Sequence, residues 1–318
     1  MSDPIEIKSV MNAKELLELG ITKVPMLVEG LIQETGLVGI TGSSDVGKSC
    51  FLRHLAIAIA RGDSEFLGFE LNTRSQKVIY VSTEDMMVNI SVSMQKHLGY
   101  PEEIESIWEN LIFVTDTENI YELLDVMMED ITPDCVIIDA FTDIHTGDLN
   151  MSTRVRGSLN RFKNLAQKYD SLFLVLNHVG KRAENKVPSK HSSLGSQGFE
   201  AKMRMLAEIR LDHTDNNLRH LCVLKGNYIA NEEKDKSYVL EMDPDTLLYL
   251  NTGQRKPFNE LGSSSRSALR DKWLPKCCEL IEADPDKTID QIYDQLREEG
   301  FSGARSTIGN YIKECEEQ

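Results

Sequence analysis

Gly36-Leu-Val-Gly-Ile-Thr-Gly42-Ser43-Ser44-Asp45-Val46-Gly47-Lys48-Ser49-Cys50-Phe51-Leu52-Arg53-His54-Leu55-Ala56 is the stretch on which the reading of this chain turns. An apolar run leads into a loop bounded by Gly42 and Gly47. Lys48-Ser49 follows, and then a helical run that stops near Gly62. A buried strand, a glycine-bounded loop and a helix start in immediate succession form a trap for anions. Glycines permit the dihedrals that curl backbone N–H groups around phosphates, and they leave room for the ligand. The helix points its positive end at the same place. In the pattern Gly-x4-Gly-Lys-Ser, the lysine reaches the β and γ phosphates and the serine hydroxyl serves Mg²⁺. The octapeptide occurs by chance in unrelated chains, but here it lies between a strand and a helix, as the mechanism requires. Gly42, Ser43, Ser44, Asp45, Val46, Gly47, Lys48, Ser49 and Cys50 are therefore expected to bind a nucleoside triphosphate, namely ATP with Mg²⁺.

Working outward, apolar β-branched runs alternate with amphipathic helical patterns. Strands are expected at 77–82, 111–114, 135–139 and 172–177, and helices at 88–98, 120–130 and 154–169. Continuous apolar strands separated by helices indicate an α/β fold, a mostly parallel sheet with helices on both faces. After Gly198 the pattern changes to strands at 207–211, 220–225 and 237–242, which reads as an antiparallel extension. Residues 1–34 are expected to be a helical segment, with a helix beginning at Asn12 and stopped by Gly20. The core then spans 35–250, a polar linker 251–268, and a small C-terminal domain 269–318. That domain reads as three helices: 269–283, one capped by Thr288, and 304–316. It is a helix-turn-helix of winged-helix-like type.

The bulk properties narrow the partners. Of 318 residues, 41% are hydrophobic, enough for a sizeable core. No apolar run approaches the ~20 residues that span a bilayer, and the first residues lack a signal-peptide pattern, so a cytoplasmic location is expected. Cys50, Cys135, Cys222, Cys277, Cys278 and Cys315 fit neither a disulfide framework nor a zinc site by spacing, and reduced thiols suit that location. The net charge of −16 is opposite to that of a protein held on DNA by bulk electrostatics. Any nucleic-acid contact must come from a local basic segment.

Three strand ends carry chemistry. Asp139 ends the strand 135–139, where a carboxylate either holds magnesium or caps the following turn. Glu84-Asp85 follows the strand 77–82. Glu84 is the expected general base that orients water, and the same cluster also suits a helix N-cap. Asn177-His178 ends the strand 172–177, where a polar pair is placed to sense the γ-phosphate.

These segments occur in order: the phosphate loop, Tyr80-Val-Ser-Thr-Glu84-Asp85, Val136-Ile-Ile-Asp139-Ala-Phe-Thr-Asp, and Leu176-Asn-His178-Val-Gly-Lys181. Together the chain resembles the RecA-like P-loop ATPases of the plasmid RepA type, relatives of the DnaB-type hexameric helicases. The likeness covers roughly 20–250, and it extends to His145-Thr-Gly-Asp148 and to Gly195-Ser-Gln-Gly198. It implies a RecA-like core in a homo-oligomeric ring, a hexamer, with ATP between neighbouring subunits. It implies that Lys48 and Ser49 bind phosphate and magnesium, Glu84 activates water, Asp139 holds magnesium and His178 senses. Lys225 would reach the γ-phosphate of the neighbouring subunit. One departure stands out: many relatives carry two consecutive histidines where this chain has Asn177-His178, although Asn can still donate a hydrogen bond.

The loop 180–193 carries Lys181, Arg182, Lys186 and Lys190. In RecA-like rings the equivalent region faces the channel and touches DNA, and copies around a ring would form a basic collar for single-stranded DNA. A solvated surface loop is the other reading. In the tail, Arg305 and Lys313 suit phosphate contact, while Glu314, Glu316 and Glu317 oppose it. DNA binding and protein docking therefore both stay open there. Two functions follow: an ATP-driven motor on DNA, helicase-like, of a plasmid, phage or mobile element; or a regulatory ATPase whose nucleotide state controls assembly.

Overall fold

A computed structural model of the chain describes residues 10–149, 151–180, 186–194, 196–212, 215–262, 267–285, 287–301 and 305–316. A short helix, α1 (Ala13–Glu18), opens it. The helix is capped by Asn12 in a reciprocal box with Glu15 and buries no residue. The hairpin β1 (Met26–Val28) and β2 (Ile32–Gln33) follows. The rest of the first 34 residues is thus not a free helical arm, because Leu27, Val28, Leu31 and Ile32 join the main core.

The central elements then come in order: β3 (Gly36–Gly42), α2 (Lys48–Arg61), the small hairpin β4 (Glu65–Phe66) and β5 (Phe69–Glu70), β6 (Val78–Ser82), α3 (Met87–His97), β7 (Leu111–Val114) and α4 (Ile120–Ile131). After these come β8 (Cys135–Asp139), α5 (Phe141–Ile144), α6 (Ser152–Lys168), β9 (Leu172–His178), α7 (Ser196–Lys202), β10 (Met205–Leu211), β11 (Leu218–Gly226), β12 (Lys236–Met242) and β13 (Tyr249–Pro257). Among the described residues the large sheet runs β13-β12-β11-β10-β3-β9-β8-β6-β7. From β10 to β7 every pairing is parallel, and from β10 through β13 every pairing is antiparallel. The mostly parallel α/β core with its antiparallel extension is as expected.

Side chains alternate across the parallel strands and build a core on each face. Val38, Ile40, Tyr80, Ile137 and Leu174 pack with Phe51, Leu52 and Leu55 of α2. Leu37, Val81, Val136, Ile138 and Phe173 face Leu124 of α4 and Leu159 and Phe162 of α6. Each such aliphatic or aromatic side chain contributes roughly 1.5–3 kcal/mol on full burial. Covered on both faces, these strands read as unbroken apolar runs. Helix α2 stops at Gly62, whose φ of 69° is a left-handed turn that lets its N–H bond back to Ala58 and Ile59.

Two expectations are corrected. The stretch 251–268 is not a linker throughout: β13 runs to Pro257 and Phe258–Glu260 forms a 3₁₀ turn. As the outermost strand, β13 has little to bury and so reads as polar. The cysteines are also not all free, because Cys278 and Cys315 form a disulfide. The C-terminal helices are α8 (Ser267–Ala283), α9 (Ile289–Glu298) and α10 (Arg305–Glu316). Packing of α10 on α8 brings the two Cα atoms to 5.4 Å across a separation of 37 residues, which spacing alone does not reveal. These helices share their own core of Trp273, Leu274, Ile292, Leu296, Phe301 and Ile308. Thr288 caps α9 in a box with Gln291, as expected, and no strand accompanies the three helices among the described residues.

Candidate nucleotide site

The carboxyl ends of four neighbouring parallel strands, β3, β9, β8 and β6, deliver the site. Gly42 at the end of β3 lies in register with His178 of β9, and Ser82 of β6 with Asp139 of β8. Ligands of open α/β sheets bind outside such carboxyl ends. The first turn of α2 has no side-chain cap, so its leading N–H groups face the loop. The cleft here has a volume of about 490 Å³ and is lined by Lys48, Ser49, Glu84, Asp139 and His178. That falls in the ~300–1,000 Å³ range of small-molecule sites.

Lys48 is buried, and its ammonium turns back to donate to the Ser43 carbonyl at 2.5 Å, inside the curl of the loop. Burial lowers its pKa, and the carboxylates Asp139, Glu84 and Asp45 resist that shift. A desolvated cation in a ring of backbone amides is a site prepared for an anion. Asp139 is 5% exposed and accepts the Tyr80 hydroxyl on one oxygen at 2.5 Å. Burial, followed by the Asp139 charge, drives the Tyr80 pKa well up, so the phenol stays a donor. Thr83 clamps the next residues: its N–H bonds to the Asp139 carbonyl at 2.8 Å, and its hydroxyl accepts the Ala140 N–H at 2.9 Å.

Glu84 and Asp85 have different fates. Asp85 pairs with Arg53, which is buried one turn into α2. Glu84 is 60% exposed at the cleft, with one oxygen 3.5 Å from His178 Nε2. Asn177 does not face the cleft. It is fully buried, its amide donates to the Leu194 carbonyl at 2.8 Å, and its oxygen accepts the His178 N–H at 3.0 Å. The sensing donor considered for Asn177 is thus spent on holding the returning loop. Ser49 and Asp139 present a hydroxyl and a carboxylate in one cleft, the oxygen donors that magnesium takes, so the residues fit the ion.

Other expected site residues lie elsewhere. The Lys225 amine sits toward the amino ends of the strands. It donates to the Glu200 carbonyl at 2.7 Å, beside a cavity that also holds Gly36 and Arg204. Lys186 and Lys190 are exposed, and Lys190 pairs with Glu200 at 3.6 Å. Lys181 and Arg182 lie outside the described residues. On α10, Arg305 and Lys313 are exposed, and Arg305 is held by Asp290. Sequence reasoning missed Arg53, Tyr80 and Thr83. It also missed Met242 and Leu247, which line the cleft from the antiparallel extension.

Residues 2–184 match the family model described as AAA domain. No curated protein sequence matches the chain. Among solved structures, the ATPase domain of a DnaB-like helicase is similar over 75% of this chain and 95% of its own, with a TM-score of 0.53 and 11% identity. At that identity the likeness establishes the fold. The chain belongs to the AAA domain family, as an ATPase with a RecA-like P-loop core.

Proposed function

We propose that the chain is the Mg²⁺-dependent, ring-forming ATPase of a DNA motor, helicase-like, from a plasmid, phage or mobile element. The observation that carries this is the convergence of Lys48, Glu84, Asp139 and His178 on one cleft while Lys225 stands apart from it. Backbone amides of 42–50 and the Lys48 ammonium hold the triphosphate. Magnesium, held by Ser49 and Asp139, supplies charge neutralisation on the phosphates. Glu84 orients a water and takes its proton as the new P–O bond forms and the β–γ bridge breaks. His178, beside Glu84, registers loss of the γ-phosphate and passes it to the loop 186–194, which returns beside β9. There the Leu194 N–H bonds to the His178 carbonyl at 2.8 Å.

Lys225 serves the site of a neighbouring subunit in this reading, which supports a homo-oligomeric, hexameric ring. Lys181, Arg182, Lys186 and Lys190 then line its channel and meet single-stranded DNA, so that an acidic protein carries a local basic collar. A second reading, a regulatory ATPase without unwinding, draws support from the C-terminal helices. Their expected DNA contact Arg305 is already paired with Asp290, and that suits docking of a protein.

The test is the steady-state ATPase rate with and without single-stranded DNA at low salt, followed by strand displacement. Stimulation with displacement is the expected result. Stimulation without displacement favours the switch, and absence of stimulation removes DNA from both readings.

A further inference from the structure

The phosphate loop is held from behind by two residues of the antiparallel extension, beyond the family match at 2–184. Arg219 on β11 is 5% exposed, and its Nε–H donates to the Val46 carbonyl at 2.9 Å. The same guanidinium is steadied by the carbonyls of Asn216 and Leu218. Tyr249, the first residue of β13, is 1% exposed, and its hydroxyl donates to the Gly47 carbonyl at 2.9 Å. The approach is so close that a β-carbon at position 47 would collide with that hydroxyl, and Gly47 has a φ of 87° besides. A glycine is thus required there for two separate reasons.

We propose that Arg219 and Tyr249 are positioning residues for phosphate binding. In a trans peptide the C=O and N–H point in opposite directions. Anchoring the Val46 carbonyl at the rear turns the Gly47 N–H to the front, and anchoring the Gly47 carbonyl does the same for the Lys48 N–H. These are amides that the phosphates must meet. A loop already fixed in this way loses less freedom on binding, so its affinity is higher. The extension is therefore part of the nucleotide site through the loop, without touching the nucleotide.

This inference rests on the loop being a phosphate site, and the experiment separates the two. ATP and ADP affinity, steady-state ATPase and unfolding midpoint without nucleotide are measured on the full chain. The chains compared are wild type, Lys48→Ala, Tyr249→Phe, Arg219→Gln and Arg219→Lys. Tyr249→Phe removes one hydroxyl, and the Gly47 carbonyl keeps its helical partner, the Phe51 N–H at 2.9 Å, so the fold stands. ATP and ADP should both bind roughly three- to tenfold more weakly, with KM raised and kcat kept. Arg219→Gln should behave alike, and Arg219→Lys should recover part of the affinity. Wild-type affinity in Tyr249→Phe overturns the proposal, and so does a fall in kcat at unchanged KM, which signals only fewer folded molecules. If wild type itself fails to bind ATP, the reading of the loop is what falls.

Discussion

At the amino ends of the parallel strands, Arg74 lies among Glu34, Asp134 and Asp170, with its closest oxygen at 2.7 Å. The buried Asp134 also accepts the backbone N–H groups of Arg74, Ser75 and Gln76. At the carboxyl ends of the same strands, Lys48 has only its own loop carbonyl at hydrogen-bond distance among the described residues, and Glu84 stands exposed. One edge satisfies its charges internally and the other leaves them open to a ligand. The difference teaches where the molecule invests in stability and where it gives stability up for binding.

The largest expected effect is at the open edge. Lys48→Ala should reduce kcat/KM for ATP by roughly 10²–10³-fold, as for loss of a major electrostatic donor. The unfolding free energy of the nucleotide-free chain should change by no more than about 1 kcal/mol, because a desolvated ammonium is removed. Steady-state kinetics beside urea unfolding reads both. A stability loss matching the activity loss breaks the comparison. At the closed edge the outcome should reverse: Asp134→Ala should cost about 3 kcal/mol, from three amides left without their acceptor, with KM for ATP unchanged. A raised KM in a stable variant would erase the distinction.

A smaller effect tests the structure behind the open edge. His54 on α2 accepts the Tyr249 N–H on Nδ1 at 3.2 Å, so the ring is neutral there. Burial, then the neighbouring Arg61 and His97, lowers its pKa from 6.5 to about 4. The unfolded chain takes this proton below 6.5 and the folded chain refuses it until about 4. The contribution is complete above pH 6.5 and is lost as pH falls from 6.5 to 4. Between pH 7 and pH 5 the loss is about 2 kcal/mol. Burial lowers the His97 pKa too and adds loss of the same sign. His54→Gln should flatten the decline in urea unfolding followed across that window. An unchanged slope would show that His54 is not held neutral.

Much of the open edge was legible in the sequence. Parallel strands buried on both faces announce themselves as apolar runs, and their polar ends, Glu84, Asp139 and His178, stand out against them. The phosphate loop is local, so its pattern contains its geometry. What escaped depends on chain return. β13 reads as a polar linker because an outer strand has little to bury. Cys278 and Cys315 meet only through packing of α10 on α8. Arg53 and Arg219 read as ordinary basic residues until the fold buries them against Asp85 and the loop carbonyls. Asn177 looked like a second sensor, and only the position of Leu194 shows that its amide is engaged elsewhere.

The central claim is that the open edge hydrolyses ATP with Glu84 as base. It is tested most directly by Glu84→Gln, in which ATP affinity and single-turnover hydrolysis are measured on the same preparation. The account predicts ATP affinity within about twofold of wild type and hydrolysis slower by roughly 10²–10⁴-fold, the span of a lost general base. Hydrolysis at the wild-type rate with bound ATP would contradict it.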